Sequence, residues 1–104
     1  MTVTSKALSR TAAATSSATL YTVPSTTTVT VVTNIVLANA ATSASTSTIA
    51  LDGVVVVPAV SIPANSLVGF DLKQVLNASG TPKIITGFAS TTAVSIHISG
   101  VEIN

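Results

Sequence analysis

Forty-one of the chain's 104 residues are branched at Cβ: 18 Thr, 15 Val and 8 Ile. That feature constrains the fold more than any other. A branched Cβ loses rotamer freedom against a helical turn and packs well on a pleated surface. A chain so composed reads as strands. Charge is scarce as well: only 7% of residues are Asp, Glu, Lys or Arg, against about a quarter in ordinary globular chains. Disordered chains combine low hydrophobicity with high charge, and this chain, 47% hydrophobic, is the reverse. Residues 11–51 carry no charge, yet Thr, Ser, Asn and Pro24 interrupt every window long enough to cross a bilayer.

The same composition excludes several kinds of chemistry. A nucleic-acid binder needs clustered Lys and Arg to neutralise phosphates, and four scattered cations do not form a cluster. With no Cys there is no disulfide framework, thiolate zinc site or cysteine nucleophile. His97 is the only histidine. As a base it would need an orienting acid and a nucleophile within reach. Asp52 and Asp71 both read as local structural residues. Glu102 pairs with His97 only if the strand bulges, because residues five apart point to opposite faces. The five glycines stand alone, so no phosphate loop is present. The expectation is a non-enzymatic protein without cofactor or metal, and with neither nucleic acid nor membrane as partner.

Residues 1–17 are low in complexity and hold Lys6 and Arg10. The small-residue stretch after Arg10 is not apolar enough for a signal peptide. This segment reads as an extended N-terminal arm, flexible or ordered by a neighbour. Residues 18–104 read as one domain. Thr19–Val23 alternates and stops at Pro24. Residues 26–38 form the strongest strand, with Val29, Val31, Thr33, Ile35 and Leu37 expected on one face. Asn39–Ser43 reads as a turn.

Thr46–Leu51 and Val54–Val57 flank Asp52-Gly53, the best hairpin signal in the chain. Pro58 and Pro63 place 58–63 at an edge or between strands. Ser66–Leu72 continues the pattern, with Val68, Phe70 and Leu72 on one face. Asp71, Leu72, Val75 and Leu76 have the spacing of one capped helical turn, ending before Pro82. Lys83–Ala89 reads as a strand broken by Gly87. Ala93–Ile103 reads as the last strand, with a bulge expected at Gly100. Asn77-Ala78-Ser79 matches a glycosylation acceptor.

The expected fold is therefore all-β. It is an antiparallel β-sandwich, jelly-roll or immunoglobulin-like, of about seven or eight strands. Free β proteins blunt their edges with charge, and here little charge is available. Edges covered within an assembly would resolve that shortage.

Five phrases in order carry a resemblance: Thr19-Leu20-Tyr21-Thr22-Val23-Pro24, Thr33-Asn34-Ile35-Val36-Leu37-Ala38-Asn39, Ile62-Pro63-Ala64-Asn65-Ser66, Asp71-Leu72-Lys73-Gln74-Val75-Leu76-Asn77-Ala78 and His97-Ile98-Ser99-Gly100-Val101-Glu102-Ile103. Together they resemble small virion proteins of tailed bacteriophages, especially those infecting actinobacteria. The resemblance covers residues 18–104. It departs after Pro24, where relatives often carry Ala-Gly-Lys and this chain reads Ser25-Thr26-Thr27.

The resemblance implies a β-sandwich capsid decoration (minor capsid) protein without enzymatic activity. Such a protein is made in the bacterial host cytoplasm and bound on the outer capsid surface of the virion. It also implies the major capsid protein and the chain itself, as a homotrimer, as partners. Similar modules occur in tails and baseplates, and a carbohydrate- or host-surface-binding sandwich is a further alternative. Lys6, Arg10, Tyr21 and His97 are the candidate partner-binding residues, with Tyr21 the candidate for sugar stacking.

Overall fold

The structure is a computed structural model and describes residues 1–77 and 83–104. Eight strands follow one another: β1 (Val3–Ala12), β2 (Ala18–Thr22), β3 (Val29–Asn39), β4 (Ser45–Leu51), β5 (Val54–Ile62), β6 (Ser66–Asn77), β7 (Ile84–Ala89) and β8 (Val94–Ile103). All neighbours pair antiparallel. One sheet has the order β1-β8-β3-β6 and the other β2-β7-β4-β5. Among the described residues no helix is long and apolar enough to cross a membrane.

Period-two alternation explains how the sheets bury one face each. In β8, Val94, Ile96, Ile98, Gly100 and Glu102 all turn inward. In β4, Ser45, Ser47, Ile49 and Leu51 do the same. Ile35, Leu37, Ile96 and Ile98 from the first sheet join Ile49, Val57 and Ile85 from the second in one hydrophobic cluster. The all-β, two-layered architecture is the one expected. Asp52 (φ 54°) and Gly53 (φ 80°) form the tight turn between β4 and β5, both in the left-handed region such turns require. Strand β5 lies at an edge and accommodates Pro58 there.

Several details differ from the sequence reading. Residues 3–12 do not form an arm; they are β1, the edge strand beside β8. Its exposed side chains leave no hydrophobic signature, and Leu8 is its one buried residue. Its backbone is satisfied by a ladder whose partner lies more than eighty residues away in sequence. At the chain ends, the Thr2 and Asn104 amides each donate to the other's carbonyl at 2.9 Å.

Leu72–Leu76 is not a helical turn but part of β6. Leu72 and Leu76 fit a period of two as well as a helical spacing, and pairing along β3 decides between them. Asp71 caps nothing; its carboxylate accepts from the Asn34 side-chain amide at 3.1 Å. Gly87 does not break β7, which runs through it.

The bulge expected at Gly100 lies instead on the strands flanking it. Register shifts occur between Ala7 and Ser9 on β1 and between Val32 and Asn34 on β3. Strand β8 keeps its regular alternation through Gly100, and a glycine is needed there because a Cβ would meet the Val31 oxygen at 2.2 Å. The shift on β3 splits its face, so Thr30 and Val32 point inward, then Ile35 and Leu37. Pro82 and part of the acceptor pattern Asn77-Ala78-Ser79 lie outside the described residues.

Candidate functional site

The regular alternation of β8 carries an acid into the interior. Glu102 is only 8% exposed. Its carboxylate is held from two sides. The Lys6 ammonium on β1 lies 3.3 Å from Oε1, and the Tyr21 hydroxyl on β2 donates to Oε2. The Tyr21 oxygen also lies 2.8 Å from the Thr30 hydroxyl on β3. A phenol has one proton, and Glu102 takes it, so Thr30 is the donor in that second bond. The network ties β1, β8 and β3 of one sheet to β2 of the other. No buried side-chain polar atom among the described residues lacks a partner.

Burial, with the Glu102 carboxylate as second cause, raises the Tyr21 phenol to about 12, partly offset by the bond from Thr30. The group is therefore a fixed neutral donor. Being buried, Tyr21 cannot stack a sugar, which removes the aromatic proposed for carbohydrate binding.

Of the other candidates, His97 and Arg10 are on the outside of the first sheet. His97 and Arg10 face each other across the β1–β8 ladder, with Val36 on the far side of His97. Lys6 is part-exposed and engaged with Glu102. The structure thus brings Arg10 and His97 together on one surface, and Lys6 and Tyr21 together around Glu102. No group of three or more His, Cys, Asp or Glu that could hold a metal ion occurs among the described residues.

Sequence reasoning missed Glu102 as the residue joining Lys6 to Tyr21. The signal was available: Val94, Ile96 and Ile98 share its parity. An acid was expected to face water, and Gly100 suggested a shift that does not occur.

The outer face of this sheet is unusually apolar at one end. Val3, Ile103 and Val29 lie side by side in register, and Val101, Val31 and Val75 form the next row. Val3 and Val75 are more than half exposed. Each row runs over three strands and ends in a polar residue, Asn77 on β6 or Ser5 on β1, and such aliphatic rows suit a contact surface. Elsewhere, an open groove of about 540 Å³ is lined by Asn39, Asn65, Ser66, Leu67 and Ser95. A smaller one, about 290 Å³, is lined by Thr48, Thr86 and Phe88 on the second sheet. Neither contains a charged side chain. No protein-family model, curated protein or solved structure matches the chain.

Proposed function

We propose that the chain is a non-enzymatic structural protein of a tailed-phage virion, a decoration protein on the outer surface of the capsid. The observation that carries this reading is the strand order, β1-β8-β3-β6 facing β2-β7-β4-β5. We read that order as a jelly roll, two interlocked Greek keys, a design that recurs in viral shell proteins. It is a fold-level analogy, and the phrase resemblance and the aliphatic end of the outer face, around Ile103, Val29, Val31 and Val101, support it.

A decoration protein acts by mass action: it binds the assembled shell and not the free parts, and so stabilises the shell. The valine rows around Val31 and Val101 suit a contact made by apolar burial, with little dependence on salt. Repetition over the shell adds avidity to individually weak contacts with the major capsid protein. The test is immunogold labelling of purified particles with an antibody to this chain. Gold distributed over the capsid supports the reading. Gold confined to the tail tip moves the protein to the tail or baseplate, and absence from particles overturns a virion role.

A further inference from the structure

We propose that the free edge of β6 is a self-recognition edge, at which two copies of the chain pair β6 with β6 antiparallel about a two-fold axis at Leu72. The inference does not depend on the virion reading.

Each sheet has two edge strands, and three of the four are blunted. Strand β2 has only five residues and a register shift beside Leu20. Strand β5 carries Pro58 and, at Ala59, a positive φ of 46°. Strand β1 carries charges of one sign only, Lys6 and Arg10, which would repel a second copy, and an extra residue at Leu8. Short length, bulges, proline and edge cations are the devices that keep strand edges from pairing. Strand β6 is the longest, at 12 residues, and contains no proline. Val68, Phe70, Leu72 and Leu76 are the covered residues, and every odd residue from Leu67 to Asn77 is exposed. Its register shift against β3, Val32 with Gln74 and then Asn34 with Asp71, sets Leu72 and Lys73 against Thr33 alone, and Asp71, Lys73 and Val75 stay exposed across it. No described strand covers its outer side.

The charges of β6 select both occupant and register. Asp71 and Lys73 have no ion-pair partner among the described residues, and both project outward. In an antiparallel pair of identical strands, centring on Leu72 sets Asp71 opposite Lys73 of the second copy, and Lys73 opposite its Asp71. Centring on Asp71 would set acid against acid; centring on Lys73 would set cation against cation. Opposite charges directly across a ladder stabilise it and like charges destabilise it. Only the Leu72 register satisfies both. It also overlaps the strands from Leu67 to Asn77 and sets Gly69 opposite Val75. An isologous contact of this kind closes at two copies, unlike the trimer that the phrase resemblance implies.

Light scattering coupled to size exclusion, at micromolar concentration, tests this. The wild-type chain is expected to be a dimer. Asp71→Lys and Lys73→Asp each replace two attractive pairs by two repulsive ones, and should weaken the dimer by about tenfold or more. The double variant Asp71→Lys/Lys73→Asp should restore it. Both positions are exposed, and circular dichroism checks that each variant is folded. A wild-type monomer or trimer, a dimer indifferent to charge reversal, or a double variant that stays apart overturns the proposal. Particle labelling reads a different property, so failure here and failure of the virion reading are distinguishable.

Discussion

Replacing Tyr21 by Phe removes one oxygen and leaves the ring in place, which makes the buried network around Glu102 measurable. The lost bond is a neutral donor to a carboxylate, worth about 1.5–3 kcal/mol net. Glu102 keeps the Lys6 ammonium at 3.3 Å, which limits the penalty for its lost partner. Thr30 loses the oxygen it donates to, 2.8 Å away. No cavity forms, because the ring still fills its site. The net loss should be about 2 kcal/mol, or about 10 °C in Tm for a domain near this size.

Urea unfolding followed by circular dichroism gives the number directly. A double-mutant cycle with Glu102→Leu isolates the pair, and the coupling should be about 1–2 kcal/mol. Leucine is the useful second change because a glutamine would still accept the phenolic proton. A loss below about 0.5 kcal/mol, the level of an ordinary surface change, would refute the view that this network staples the two sheets.

Tyr21 is the chain's one tyrosine and there is no tryptophan, so phenolate absorbance reports on it alone. The native midpoint should lie near 12 and fall to about 10 in denaturant. Because the folded value is the higher one, this group's contribution to stability is complete below about pH 10 and is lost as pH rises towards 12. A native midpoint at the unfolded value would contradict the burial. Gly100→Ala should cost about 3 kcal/mol or more in urea unfolding, since its Cβ would meet the Val31 oxygen at 2.2 Å. Gly69→Ala is the control: the nearest atom is a Val36 methyl at 3.7 Å, and its stability should change by less than about 0.5 kcal/mol.

Local chemistry was legible in the sequence, and long-range chemistry was not. The Asp52-Gly53 hairpin follows from two residues that tolerate positive φ, and β4 follows from the alternation ending in Ile49 and Leu51. Those signals are contained in a few consecutive residues. Strand β1 is different: Ser5, Lys6, Ser9 and Arg10 offer no apolar stripe, and the strand exists because β8 offers hydrogen bonds from the far end of the chain. Leu72 and Leu76 satisfy two periods at once, so only the β3 partner resolves them. At the candidate site, the sequence offered Tyr21 as a contact residue, and its burial shows only once Thr30 and Glu102 from other strands meet its hydroxyl. The buried role of Glu102 was not legible either, because it depends on a lysine and a tyrosine from two other strands. The bulges on β1 and β3 were legible only as a disturbance near Gly100, since the sequence of β8 cannot say which neighbouring strand takes the extra residue.

The mutual hydrogen bonds of Thr2 and Asn104 bring both ends of the polypeptide to one corner of the first sheet. A short linker could therefore join them, with new ends opened at an exposed turn such as Asp52-Gly53, and the circularly rearranged chain would keep every strand pairing. The same corner is where any appended segment must emerge, at either end. A tag or cargo fused there stands beside Val3 and Ile103 and away from the Asp71–Lys73 centre of β6, so fusions at either terminus can be made without crowding the edge at which two copies are proposed to meet.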